Sequence, residues 1–328
     1  MKTRAFTASV LLLVLLALMV VFTLGTGAIS VAPLDVIRTL LGNGSRMTNF
    51  AVLDLRLPRV VVAAGVGIAL GLSGAVFQSL SRNPLGSPDI VGFTYGSATG
   101  ALAVIVLLGG SSAAISLGAV VGGLLTALLV YVLAWQQGVR GYRLVLVGIG
   151  VSAILQSINF YLLVTASLNE AGRATVWITG SLDNRGWGQA VPLLWALVLV
   201  VPLVLAGGRW LKMLEMGDDA AQALGVPIER SRLYLLIVGT AACAIATAAA
   251  GPIAFVALVA PQLAKRLTKA AGPNLLPAAW MGALLVVVAD FAAQRVAGDT
   301  LLPVGAMTGA FGGVYLAWIL WRFRTKAS

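Results

Sequence analysis

The stretch FTASVLLLVLLALMVVFTL, residues 6–24, contains no charged side chain and is long enough to cross a lipid bilayer by itself. A helix of about 20 apolar residues spans the hydrocarbon core of a membrane. Lys2 and Arg4 precede the stretch, as basic residues precede the apolar part of a secretory signal. The run is long for such a signal, and no A-x-A cleavage site follows it. We therefore expect a retained first transmembrane helix.

The composition extends this prediction to the whole chain. Hydrophobic residues make up 59% of the 328 residues and charged residues only 10%, whereas a soluble domain carries about 25% charged residues. The sequence therefore predicts an all-α, polytopic membrane protein in contact with membrane lipid, with residues 1–328 forming a single transmembrane domain. With no histidine and one cysteine, Cys243, the sequence excludes a disulfide within the chain and a metal site built from histidine or several cysteines.

The basic excess, a formal net charge of +11, lies between apolar blocks and not on one soluble face. We therefore expect no nucleic-acid partner. The blocks predict about ten transmembrane helices, at about 6–27, 58–80, 90–109, 113–134, 144–165, 190–207, 233–250, 252–264, 276–293 and 303–321. The eighth is too short to span alone and is expected to re-enter beside its neighbours. If both termini are cytoplasmic, 15 of the 22 Lys and Arg residues lie inside, as the positive-inside bias requires.

Two glycine-containing stretches lie at or next to these crossings. RNPLGSPD, residues 82–89, falls between the second and third crossings, where Pro84 and Pro88 end one helix and start the next, and Asp89 suits a helix start. GVGIALG, residues 65–71, lies in the middle of a crossing with no strand before it. Close helix packing through its glycines is therefore a better interpretation than a dinucleotide-binding loop.

A hydrophilic segment on the predicted inner face, RWLKMLEMGDDAAQALGVPIERSR, spans residues 209–232. Asp218 and Asp219 suit a helix start, Gly225 suits a C-cap, and Pro227 suits the start of a second helix. The pattern predicts two short helices that form a compact protrusion. An ordinary loop is the alternative, because short helices are difficult to predict from sequence.

Polar side chains within and beside the crossings allow two interpretations. Ser152, Gln156 and Asn159 share one face of the fifth crossing, where polar groups either join helices or line a wet path. Asp290 is the only acid near the interior of a crossing, and we expect a structural role in which it pairs with Gln294 or Arg295.

Four stretches of the chain closely resemble the permease subunits of the FecCD type. They are RNPLGSPDIVGFTYGSATG, ALGVPIERSR, GPIAFVALVAPQLAKRL and ADFAAQRVAGDTLLPVGAMTGAFGGVYLAWIL. That family imports ferric siderophores, haem and vitamin B12. The resemblance covers essentially the whole chain in the right order. It implies the fold of a type II ABC importer permease, with ten-helix subunits that form a dimer around a central path and bind two cytoplasmic ATPase subunits.

The resemblance also implies roles for individual residues. It makes the 209–232 segment the coupling helices that sit in a groove of each ATPase, with Asp218, Asp219, Ala220, Ala223, Leu224, Gly225, Val226 and Pro227 at the contact. It implies that three arginines of this chain on the outer face, Arg56, Arg59 and Arg295, receive acidic residues of a periplasmic or lipoprotein substrate-binding protein. Snorkelling towards lipid headgroups remains an alternative for each of these arginines. The resemblance also places the fifth crossing along the central path, together with Gly305, Thr308 and Gly309 of the tenth crossing.

These expectations define a transport subunit and not an enzyme. The chain has no G-x-x-x-x-G-K-[ST] loop, so ATP and Mg are expected in the partner ATPase, with no cofactor in this chain. A path of neutral polar and small groups suits a bulky metal chelate, and the family favours a ferric siderophore, moved across the cytoplasmic (inner) membrane by alternating access at a dimer interface. The second permease chain is identical or homologous. The alternative is an ion-coupled secondary transporter that works without an ATPase, and an intramembrane enzyme has the least support.

Overall fold

The computed structural model describes residues 2–27, 29–136, 138, 141–296 and 302–327. Within these ranges the chain forms 15 α-helices and one π-helical segment, with no β-strand, which confirms the predicted all-α class. The helices before the middle of the chain are α1 (Lys2–Gly25), α2 (Pro33–Leu40), α3 (Arg46–Asn49), the π segment (Phe50–Arg56), α4 (Leu57–Ser81), α5 (Phe93–Leu108), α6 (Ser112–Ala134) and α7 (Gly141–Thr165). The later helices are α8 (Leu168–Ile178), α9 (Trp187–Ala206), α10 (Gly208–Leu214), α11 (Asp218–Ala223), α12 (Ile228–Ala250), α13 (Val256–Thr268), α14 (Leu275–Val296) and α15 (Val304–Ala327).

The predicted crossings all coincide with helices, but they differ in length. Among the described residues, seven helical stretches are long and apolar enough to cross a membrane: α1, the continuous unit Arg46–Ser81, α6, α7, α9, α12 and α14. α5 has 16 residues and α13 has 13. At about 1.5 Å per residue, α13 is about 20 Å long, shorter than a bilayer core of about 30 Å. The number of ten crossings is therefore approximate, and α13 is as short as the sequence predicted.

The hydrophilic segment between the first two predicted crossings is largely helical. α3, the π segment and α4 form one helical unit of 36 residues. Ser45 caps its start, because its hydroxyl oxygen accepts a hydrogen bond of 3.2 Å from the Thr48 backbone N–H. Buried Ala51 and Val52 hold the unit against the rest of the chain.

A second helix in a predicted hydrophilic connection is α8, which follows α7. Its N-terminus carries a capping box in which the Ser167 backbone N–H donates to the Glu170 carboxylate at 3.0 Å and the Glu170 backbone N–H donates to the Ser167 hydroxyl at 3.4 Å. The hydroxyl of Ser167 also donates to that carboxylate, and these hydrogen bonds lower the pKa of Glu170. Residues Ser-x-x-Glu are the sequence signal for this helix start.

The centre of the molecule is α4, which packs against α9, α12, α13 and α14. Its glycines allow this approach: a Cβ atom built on Gly67 would lie 2.3 Å from the backbone oxygen of Gly282 in α14, and one on Gly71 would lie 2.2 Å from that of Ala278. A Cβ atom on Gly74 would lie 1.8 Å from the backbone oxygen of Ala257 in α13. The predicted close packing through Gly67 and Gly71 is therefore confirmed.

Candidate functional site

A cavity of about 920 Å³ lies between α5, α7, the start of α13 and α15. Four residues predicted for the path line it: Ser152, Gln156 and Asn159 of α7, and Gly305 of α15. The other two predicted residues of α15 do not belong to the lining. Thr308 is buried, with its hydroxyl donating to the Gly305 carbonyl at 3.0 Å, and a Cβ atom on Gly309 would meet no atom within 4 Å.

The polar face of α7 joins helices, as one of the two interpretations predicts, and it also borders the cavity. Gln156 Nε2 donates to the Tyr95 hydroxyl of α5 at 3.2 Å, and Asn159 Nδ2 donates to the Tyr95 carbonyl at 3.4 Å. Ser152 donates to the Gly148 carbonyl within α7 at 2.7 Å. Because Tyr95 itself lines the cavity, α5 and α7 share one polar wall.

Asp89 also lines the cavity, a role that the sequence did not reveal. Its carboxylate accepts a hydrogen bond of 2.5 Å from the Thr94 hydroxyl and interacts with the backbone N–H of Phe255. α5 begins only at Phe93, so the residue expected to start a helix instead sits before it. The available signal was a single acid within an otherwise neutral stretch. One carboxylate does not make a site for a bare divalent cation, which takes about six oxygen ligands.

Phe255 forms the part of the cavity wall between α13 and α15. Its φ of 67° lies in the left-handed region, which is unusual for a bulky side chain. A Cβ atom on Gly312 of α15 would lie 2.3 Å from the Phe255 side chain, so the aromatic ring packs where α15 carries no side chain. The start of α13 is thereby held against α15.

The N-terminal end of α4 carries a buried ion pair. The Arg59 guanidinium contacts Asp290 of α14 through three hydrogen bonds of 2.8, 3.1 and 3.2 Å, and Asp290 is 1% exposed. Gln294 donates to the same carboxylate at 2.7 Å, which confirms the predicted contact one turn along. The alternative partner, Arg295, instead donates to the Phe291 carbonyl at 3.0 Å, and its guanidinium lies 3.6 Å from the centre of the Phe291 ring.

The three arginines expected at the outer face therefore differ in their surroundings. Arg56 donates to the Leu24 and Ile29 carbonyls at 2.7 and 2.6 Å and closes the end of α1. Arg59 carries the ion pair with Asp290 and lies 3.5 Å from Asp183 as well. Among the described residues, Arg295 hydrogen-bonds to the Phe291 carbonyl of its own helix, and its charge repels that of Arg56.

The inner-face segment contains two short helices, α10 and α11. α11 begins at Asp218, as the sequence predicted, and Gly225 follows it with a φ of 81° that favours glycine. The helix after Pro227 is not short: it is α12, with 23 residues. The pattern identified its start correctly, but no breaker follows, so the helix continues into the apolar crossing. The ordinary loop is excluded.

The residues expected at the ATPase contact are mostly exposed. Asp219, Ala223, Leu224, Gly225 and Pro227 are exposed, Asp218 and Ala220 are half-buried, and Val226 is buried. Val226 packs in a core cluster with Leu211 and Ala221. α11 therefore presents one free face and is held by the other.

Long apolar helices, a mostly apolar cavity with a few polar side chains in its wall, and a protruding segment of short helices define a multi-pass membrane permease. The model of the FecCD transport family matches residues 14–322, and the chain belongs to this family. It is therefore the permease subunit of an ABC importer and not an enzyme, with the ATPase in a separate subunit.

Named relatives cover nearly the whole chain. It is 45% identical to the ferric enterobactin transport system permease protein FepG of Escherichia coli (strain K12), across 92% of this chain and 91% of that protein. It is 32% identical to the hemin transport system permease protein HmuU of Yersinia pestis, across 96% of each. A solved metal-chelate type ABC transporter in an inward-facing conformation superposes with a TM-score of 0.84 and 25% identity, across 97% of this chain and 99% of that chain.

Proposed function

We propose that this chain passes a metal chelate, with a ferric siderophore as the favoured cargo, across the inner membrane. The observation that carries the proposal is the cavity of about 920 Å³ between α5, α7, α13 and α15. Its size is within the range of about 300–1,000 Å³ that holds small organic ligands. Its lining offers neutral hydrogen-bonding groups from Tyr95, Gln156 and Asn159, which suit the oxygen-rich surface of a chelate. Relatives named for ferric enterobactin and siderophore transport support the same cargo class.

The proposed machine contains further chains. A second permease, identical or homologous, completes the path, and access alternates between the two membrane faces at the interface of the two permeases. Two cytoplasmic ATPases bind ATP and Mg and contact α11, while this chain holds no cofactor. A periplasmic or lipoprotein binding protein delivers the chelate at the opposite face. The distribution of Lys and Arg supports the orientation with both termini in the cytoplasm.

ATP-dependent uptake tests this function. The permease is reconstituted into vesicles with its ATPase and binding protein, and accumulation of a radiolabelled ferric siderophore is measured with ATP inside, with ADP inside, and without the ATPase. We expect accumulation only with ATP and ATPase together, because the chain has no phosphate-binding loop. Accumulation by the permease alone under a proton or sodium gradient would instead establish the secondary-transporter alternative.

Docking of the binding protein is expected to depend on Arg295. Arg295→Glu places a negative charge where a carboxylate of the binding protein would pair with the guanidinium. We expect the Kd for the binding protein to rise about tenfold, equivalent to about 1.4 kcal/mol, while the ATPase stays attached. Arg56→Glu and Arg59→Glu are poorer tests, since they also remove the contacts to the α1 carbonyls and to Asp290.

The matched control is Arg46→Glu, which makes the same charge change at another exposed arginine near the outer end of the α4 unit. Surface plasmon resonance with the immobilised complex gives both values of Kd. An unchanged Kd for the Arg295 variant, or an equal rise for the Arg46 variant, contradicts a specific contact at Arg295.

A further inference from the structure

The turn between α10 and α11 carries two carboxylates that bond to other parts of the chain. Asp218 Oδ1 accepts hydrogen bonds from the Arg82 guanidinium and, at 2.6 Å, from the Arg232 guanidinium. Glu215 Oε1 accepts a hydrogen bond of 2.6 Å from the Ser79 hydroxyl and lies 3.6 Å from the Lys265 ammonium. The coupling segment is therefore tied to α4, α12 and α13 by charged groups.

The first tie leads from Asp218 to the cavity through the reversal after α4. Arg82 ends α4 in the left-handed conformation, with a φ of 50°. Ser87 and Asp89, which follow in the same reversal, line the cavity. A displacement of Asp218 thus reaches the cavity wall through a few residues of the chain.

The second tie leads from Glu215 through α13. Lys265 lies in the last turn of α13, while Leu258 in its first turns and Phe255 just before it line the cavity. From Leu258 to Lys265 is about two helical turns, or about 10 Å along the axis. The Lys265 contact and the cavity wall at Leu258 therefore lie on one short helix, which contains Pro261 between them.

The two ties converge on one hydrogen-bonded unit. Gln78 of α4 is 3% exposed and donates to the Leu258 carbonyl at 2.9 Å. Gln262 of α13 donates to the Gln78 side-chain oxygen at 2.6 Å and to the Pro84 carbonyl of the reversal at 3.2 Å. Hydrogen bonds through Gln78 and Gln262 therefore join α4, the reversal and α13.

From this geometry we infer that Asp218 and Glu215 are positioning residues that link the coupling segment to the cavity wall. The inference rests on the proposed function and deepens it: Asp218 turns its carboxylate into the chain, whereas the neighbouring Asp219 is exposed. Asp218 thereby transmits the movement of the ATPase and does not contact the ATPase itself.

Asp218→Asn in the full complex tests the inference. Asn keeps the size of the side chain but removes the charge that the two guanidinium groups share. We expect uptake per ATP hydrolysed to fall about tenfold, with the ATPase still co-purifying and still hydrolysing ATP. The matched control is Asp35→Asn, because Asp35 is also a partly exposed aspartate, paired at 3.2 Å with Arg38, with no tie to the cavity.

A double mutant shows whether Arg82 acts through Asp218. If the two side chains work as one link, Asp218→Asn combined with Arg82→Gln lowers uptake per ATP no further than the worse single variant. Glu215→Gln tests the second tie in the same assay, and we expect it to lower uptake per ATP hydrolysed as well. Loss of the ATPase from the Asp218→Asn complex would make Asp218 a direct contact and overturn the inference.

The remaining outcomes separate the inference from the proposed function. Unchanged uptake per ATP in both the Asp218 and Glu215 variants, or an equal fall in the Asp35 control, overturns the link. These results require that the wild-type complex shows ATP-dependent uptake. If the wild type shows none, the proposed function fails, and with it the inference.

Discussion

Replacing Arg59 with methionine is expected to lower the free energy of unfolding by about 3–5 kcal/mol, because it leaves the carboxylate of Asp290 buried without a cation. Asp290 is 1% exposed, and Arg59 supplies three of its hydrogen bonds. Methionine preserves the length and apolar stem of the side chain, so the loss reports the charge and its hydrogen bonds. Chemical denaturation of the purified permease in detergent measures the change.

Two further variants separate the ion pair from general effects of mutation. Asp183→Asn removes the charge of the other acidic neighbour of Arg59. Because the Asp183 side chain is 39% exposed, we expect the free energy of unfolding to fall by at most about 1 kcal/mol. The double variant Arg59→Met with Asp290→Leu is expected to recover most of the lost stability, since an apolar replacement of a buried pair is often neutral. Equal losses in the Arg59 and Asp183 variants would show that Asp290 does not depend on Arg59.

The contact between α4 and α14 is expected to tolerate no side chain at Gly282. A Cβ atom there would lie 2.1 Å from the backbone oxygen of Gly67. Gly282→Val therefore forces the two helices apart along a contact that is buried on both sides, and we expect a loss of about 3 kcal/mol in the free energy of unfolding. Thermal unfolding in detergent measures it as a lower midpoint.

Gly150→Val is the matched control. Gly150 lies within α7, and a Cβ atom there would meet no atom within 4 Å. Valine and glycine have similar helix propensities to within about 0.5 kcal/mol, so we expect little change. If Gly282→Val and Gly150→Val unfold at the same midpoint temperature, the spacing of α4 and α14 does not depend on the absence of a side chain at Gly282.

Much of the candidate site was predictable from local pattern. The spacing of Ser152, Gln156 and Asn159 placed them on one face of a helix, and Asp218, Gly225 and Pro227 located the ends of helices at the inner face. These predictions depend on periodicity and capping, which act over a few residues. The partner of Gln156 and Asn159, Tyr95, lies more than fifty residues away in the chain and follows from no local pattern.

The sequence missed features that depend on contacts between distant segments. Asp89 was expected to start a helix, yet α5 begins only at Phe93, after Gly92 with a φ of 92°, and Asp89 borders the cavity. Arg59 was expected at the docking face, yet Asp290, 231 positions away, holds it.

By itself, the sequence determined that this protein folds in a lipid membrane. It also determined the helical class, most helix positions and the absence of a phosphate-binding loop. Hydrophobicity and helix capping are properties of short stretches, so they can be read from residue order. The tertiary structure decided which polar groups meet: Arg59 with Asp290, Asp218 with Arg82 and Arg232, and Gln78 with Leu258 and Gln262. Inside a membrane protein an unpaired polar group is costly, and its partner is set by how the helices pack and not by their distance along the chain.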